Sequence, residues 1–243
     1  MRYFILCFTV LVLLTGCKKD KDPVPNADIE PNDFLSSANY NKLIIQVNYI
    51  NGFKPDENTI NNLKNFLDQH INKPNGIEIV YTAMNSSGKQ FYSLEDIRTI
   101  ERFSRKVNSS GNDLSAYLFF VDGDYSGNSG NLKTLGVSYG ATSMVVFEKT
   151  IKDLSGGLGQ PSVMSVETTV SEHEFGHILG LVNNGTGMVN THQDEPNGRH
   201  CNNSNCLMYW STENNNLINN LVGNNIPTLD ANCVLDLKAN GGK

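Results

Sequence analysis

Two rhythms of hydrophobic and polar positions alternate along this chain. Lys42 to Ile50 (KLIIQVNYI) carries the β-branched and aromatic content of a strand. From Asp56 to Ile71 the spacing turns helical. Ile60, Leu63, Phe66 and Leu67 share one face there, and Asp56 or Asn58 suits the N-cap. Gly76 to Met84 reads as a second strand. Ser93 to Val107 reads as a second helix, opened by Ser93 and Asp96 as a capping pair. Leu114 to Val121 is a third strand, apolar enough to be buried. This order predicts a sheet layered with helices.

Beyond a Gly/Ser/Asn-rich loop from Asp122 to Asn131, Thr142 to Glu148 reads as another strand, placed at an edge. Ser162 to Val182 is a long helix. Asn183 to Asn205 is polar and aperiodic, a long loop of the kind usually held by function or a ligand. Asp230 to Ala239 closes the chain as a short helix. There are no internal repeats.

The first residues stand apart from this pattern. Arg2 is followed by an almost wholly apolar run from Tyr3 to Leu14, about a dozen residues and too short to span a bilayer stably. An ordinary signal peptide is one reading. Leu14-Thr15-Gly16-Cys17, however, resembles the lipobox of bacterial lipoproteins. That resemblance implies a signal peptide over 1–16, cleavage before Cys17 and acylation there. The protein would then be held in the bacterial cell envelope, periplasmic or on the cell surface, by its lipid anchor alone. Residues 17–40, with Lys18-Lys19-Asp20-Lys21-Asp22-Pro23-Val24-Pro25, read as a solvated tether. The domain is expected over 41–243, with an upper part at 41–182 and a lower part at 183–243. At 39% hydrophobic and 18% charged residues, the chain suits a soluble globular body. With a net charge of −6 and no long basic run, nucleic-acid binding has no electrostatic support.

The candidate chemistry lies in the long helix. Ser171-Glu172-His173-Glu174-Phe175-Gly176-His177 contains HExxH. Residues four apart stand one above the other, so His173 and His177 can address one metal ion. Glu174 sits beside them, where it can take a proton from an activated water rather than bind the ion. A third ligand must come from elsewhere, and His192, Asp194 and His200 are the candidates. A ligand at Glu195 would need a second helix, which Pro196 beside it opposes. His70 reads as a surface helix residue.

Gly180 follows His177 by three, and Met208 lies in Cys206-Leu207-Met208-Tyr209 after the polar loop. HExxHxxG followed by a Met-containing turn resembles the metzincin clan of zinc peptidases. The resemblance implies an α+β zincin fold, a mixed sheet layered with helices above a small C-terminal subdomain. It also implies a Met-turn at Met208 beneath the zinc. Where metzincins place their third His, this chain has Asn183. His200-Cys201-Asn202-Asn203-Ser204-Asn205-Cys206-Leu207-Met208 is similar to the His-Cys-x4-Cys-x-Met stretch of archaemetzincins, displaced by Asn183 to Arg199. That similarity implies His200 as third ligand, with His192 next. Metzincins often place a Tyr two residues after the Met. Here that position is Trp210, so no role is carried over.

Once Cys7 and Cys17 are set aside, Cys201, Cys206 and Cys233 remain. Secretion favours a Cys201–Cys206 disulfide, which leaves Cys233 odd. The archaemetzincin resemblance implies instead a second, structural zinc. Asp230 stands where that family has its first later Cys, so the set would be Cys201, Cys206, Asp230 and Cys233. The expected activity is a zinc endopeptidase, a monomer acting on peptide or protein substrates, with Glu174 as general base. Ser143 to Glu148 is the strand expected to pair with substrate. A non-catalytic lipoprotein capturing peptides or glycans would need no Glu174. A purely structural zinc protein would close its site with four ligands.

Overall fold

The computed structural model describes residues 28–221 and 224–243. The expected signal segment, the acceptor Cys17 and the tether through residue 27 lie outside them. The described chain runs α1 (Pro31–Leu35), β1 (Lys42–Ile50), α2 (Glu57–His70), β2 (Ile77–Met84), β3 (Phe91–Tyr92), α3 (Leu94–Ser104) and β4 (Asp113–Phe120). It continues through β5 (Asp124–Tyr125), β6 (Gly136–Gly140), β7 (Ser143–Val146), α4 (Glu148–Leu154), α5 (Val163–Ile178), α6 (Asn216–Asn220) and α7 (Ala231–Ala239). No helix among the described residues is long and apolar enough to cross a membrane.

Five strands form one mixed sheet in the order β2-β1-β4-β7-β6, parallel except for the antiparallel pair β6 and β7. Strand alternation explains its two cores. Leu43, Ile45 and Val47 of β1, with Leu118 and Phe120 of β4, pack towards Leu63 and Leu67 of α2 and Val166 and Val170 of α5. Tyr117, Phe119 and Val145 point the other way, towards Tyr92 and Ile97. Gln46 is buried on that second face and fully used. Its Nε2 donates to Ser104 O at 3.0 Å, and its Oε1 accepts from Lys106 N and Val107 N at 2.8 and 2.9 Å.

Three expectations change. The strand at 143–146 lies inside the sheet, and the edge on that side is β6, whose GVSYG run is too short and Gly-bearing to read as a strand. Glu148 opens α4 instead of ending a strand. Packed structure also reaches back into the stretch expected as tether. Phe34 and Leu35 of α1 are fully buried, and Phe34 meets Phe175 edge-on at 5.7 Å between ring centroids. Lys73 Nζ fastens this segment by donating to the carbonyls of Asp33 (2.7 Å), Tyr40 (2.8 Å) and Ser36.

Glu148 is fully buried in this frame. Burial, and then the neighbouring Glu167, push its acid up to about 10, although Lys152 Nζ at 3.2 Å pulls the other way. Above the ordinary carboxylate range the folded state therefore keeps a proton that the unfolded chain has lost, so stability falls as pH rises. Glu148→Gln removes this slope. Its melting temperature is expected to exceed that of the wild type by a margin widening by roughly 3 °C or more from pH 5 to pH 8. A pH-independent margin in thermal scans would contradict the assignment.

Candidate metal centres

Helix α5 runs through the core, buried from Ser165 to Ile178, with Ser162 Oγ accepting from Ser165 N at its start. Its end is a Schellman turn: Leu181 N donates to Gly176 O at 3.1 Å and Gly180 N to His177 O at 3.0 Å, with Gly180 at φ +80°. His173 and His177 face each other on this helix, their Nε2 atoms 3.1 Å apart. His173 Nδ1 lies 2.7 Å from Leu207 O, which fixes the proton on Nδ1 and turns the Nε2 lone pair inward.

His200 joins them from the polar loop. Its ring stacks on His173 with centroids 5.3 Å apart. Its Nδ1 donates to Asn197 O at 2.7 Å, and its buried Nε2 has no hydrogen-bond partner. The displaced segment closes on itself to bring this about. Asp194 N donates to His200 O and Cys201 N to Met208 O, both at 2.7 Å, tying the loop to the Met-bearing turn. Asn183 is exposed at φ 60°, and its carbonyl accepts from Arg199 at the far end of that segment. Asp194 and Glu195 belong to no group of converging donors among the described residues.

Glu213 completes a set the sequence reading left incomplete. Ligand atoms of His173, His177, His200 and Glu213 lie within 4.8 Å of one another, and Glu213 Oε2 is 3.5 Å from His200 Nε2. Burial brings His173 down to about 4 and His177 well below its usual range, so both are neutral donors at pH 7. Burial opposes a charge on His200, but Glu213, the Asn197 carbonyl and Asp194 together raise that ring. Glu174 is buried beside them. Its Oε2 accepts from Ser138 N of β6 at 2.6 Å, while Oε1 is left without a partner. Burial, then Glu213, raises its acid well above the ordinary range. Three convergent ring lone pairs, an orphaned Nε2 and two nearby carboxyls are a donor set that fits a divalent cation of the zinc type.

Met208 is fully buried, with its sulfur packed against Gly176 of α5. A Cβ on Gly176 would fall 2.4 Å from its sulfur, so Gly176 is what lets the turn approach the helix.

A second group forms nearby from His192, Cys201, Asp230 and Cys233. His192 is therefore not beside His173 and His177. Its Nδ1 faces Cys201 Sγ at 3.4 Å and Cys233 Sγ at 4.0 Å, and its Nε2 pairs with buried Asp236 at 2.7 Å. Cys206 Sγ is 3.6 Å from Cys233 Sγ and accepts from the backbone N–H of Met208 and of Asp230, both at 3.4 Å. All three thiols are free and buried. Cys201 and then Cys233 draw the Cys206 thiol down to about 4, whereas Cys201 and Cys206 push Cys233 far up. Asp230 N-caps α7 through Cys233 N at 2.9 Å and accepts from Cys201 Sγ at 3.3 Å. Crowded sulfurs held by N–H donors and an imidazole backed by a carboxylate also fit a zinc-type ion.

No protein-family model and no curated protein matches the chain. Among solved structures, the chain is similar to archaemetzincin from Methanopyrus kandleri. The TM-score is 0.52 at 14% identity, over 84% of this chain and 96% of that one. The shared feature is the fold. A zinc-dependent peptidase from Methanocorpusculum labreanum gives a TM-score of 0.47 at 13% identity, covering 79% of this chain and 99% of that one. Metalloproteinase-II from Bacteroides fragilis gives 0.44 at 16%, covering 84% and 54%.

Within this archaemetzincin-like fold, the sequence reading missed two participants. Glu213 reaches the site because Leu135 N donates to its carbonyl at 2.8 Å, a contact with no local sequence signal. His192, by sequence a candidate third ligand for the helix, belongs instead beside its long-range partner Asp236. Gly180 ends the helix at Ile178, short of the Val182 expected from the sequence. A Cβ on Gly180 would lie 2.7 Å from Thr186 N and 2.8 Å from Pro31 Cβ, at a positive φ. Gly180→Ala is expected to cost about 2–4 kcal/mol in denaturant unfolding. An unchanged midpoint would contradict this packing.

Proposed function

We propose that the chain is a zinc-dependent endopeptidase of archaemetzincin-like fold, anchored to the bacterial cell envelope through acylated Cys17. One observation carries the catalytic part: three imidazoles converge beside a buried carboxyl, Glu174, that has one oxygen free. His173, His177 and His200 would hold the ion, with Glu213 a fourth donor in reach. When bound, zinc would polarise the scissile carbonyl and lower the pKa of the attacking water. The cation would also favour the ionised form of Glu174. Ser138 N–H fixes Oε2, so Oε1 is the oxygen that accepts the water's proton and returns it to the leaving amine. Edge strand β6, which carries Ser138, is the segment along which an extended peptide would pair.

The second group would take a structural ion through His192 Nδ1, Cys201, Asp230 and Cys233, with the Cys206 thiol beside Cys233 as a further donor. Asp236 would orient the imidazole. The lipid anchor rests on Leu14-Thr15-Gly16-Cys17 alone. The test is reconstitution. Metal-stripped protein should be inert towards an internally quenched peptide and regain hydrolysis on adding zinc. A zinc-loaded protein that cleaves no peptide in a diverse library would exclude the peptidase and favour an ion closed in by His173, His177, His200 and Glu213.

A further inference from the structure

Behind the metal-facing side of α5 lies a cavity of about 430 Å³ that the proposed hydrolysis does not use. Asn62, Asn65, Gln69 and His70 of α2 form one wall, and Ile226, Pro227, Leu229 and Val234 form an apolar one. Glu172 lines it from α5. Glu172 is only 7% exposed as a residue, and no hydrogen bond or ion pair to its carboxyl is found among the described residues. A buried carboxyl without a partner is costly unless something supplies donors. The other polar side chains of the cavity are carboxamides, one imidazole and the Thr228 hydroxyl, and no Lys or Arg lines it.

We propose that this cavity binds a small organic cation, a primary ammonium on a short aliphatic stem. Its N–H donors would pair with Glu172 and the amide oxygens of Asn62, Asn65 and Gln69, and its stem would lie on Ile226, Pro227 and Leu229. The volume falls within the range of small-molecule sites. The position gives such a ligand a route to the metal group. Thr228 in the cavity wall accepts from Leu207 N at 2.9 Å, and Leu207 O holds His173 Nδ1 at 2.7 Å.

Calorimetric titration of the full, zinc-loaded chain with n-butylammonium at neutral pH tests this without reading activity. Saturable binding with a Kd on the order of 1 mM is expected, given so few ligand atoms. Butyrate and n-butanol should bind at least about tenfold more weakly. Glu172→Gln should weaken butylammonium at least about tenfold. Asn65→Trp, at an exposed position in the wall, should block the cavity while leaving the carboxyl in place. It decides the matter if Glu172→Gln fails to fold. No saturable binding up to about 50 mM, equal binding of n-butanol, or full binding by the Asn65→Trp protein would each overturn the proposal.

Discussion

Glu174→Gln is expected to lower kcat for peptide hydrolysis by about 10³-fold while zinc content and melting temperature stay near those of the wild type. The substitution is nearly isosteric, and the site is built around this side chain. Gly136 has no Cβ, and one would fall 2.8 Å from Glu174 Cγ and 3.1 Å from Oε1. Ser138 N–H then holds Oε2 and directs Oε1. A Gln carboxamide can keep the bond from Ser138 through its oxygen, but its nitrogen has no lone pair with which to accept a proton. Steady-state kinetics with parallel metal analysis reads both parts. Wild-type kcat in a variant with full zinc would remove Glu174 from the chemistry.

The second large effect is a separation of two histidines. His200→Ala should abolish hydrolysis and release about one zinc per chain, with a modest change in stability. His192→Ala should release the other zinc and destabilise the fold by about 3–5 kcal/mol, because Asp236 would be left buried without its partner and the sulfurs without their cation. Denaturant unfolding with metal quantitation on both variants measures this. If His192→Ala instead lost activity at unchanged stability, His192 would belong to the catalytic group.

Much of the frame was legible because it is locally encoded. The β-branched run of β1 set its bounds at Lys42–Ile50, as read. The Ser93 and Asp96 capping box opens α3, and Ser162 caps α5. The HExxH spacing placed two imidazoles together without any tertiary knowledge, since a helix brings residues four apart onto one side. What escaped depends on partners far along the chain. Segment 28–40 reads as a polar tether, yet Lys73 and Phe175 hold it down. Strand β6 has only Val137 and Tyr139 set among Gly136, Ser138 and Gly140, and owes its place to pairing with β7. The positions of Glu213 and His192 follow from contacts with Leu135 and Asp236.

The central claim is that His200, reached across a displaced loop, completes a zinc site with His173 and His177 while Glu174 stays free of the ion. Anomalous diffraction at the zinc edge, on crystals of the zinc-loaded protein, tests it most directly. The predicted map has one peak among the Nε2 atoms of His173, His177 and His200 and a second within the group of His192, Cys201, Asp230 and Cys233. A first peak bonded to Glu174, or one without His200, would contradict the account.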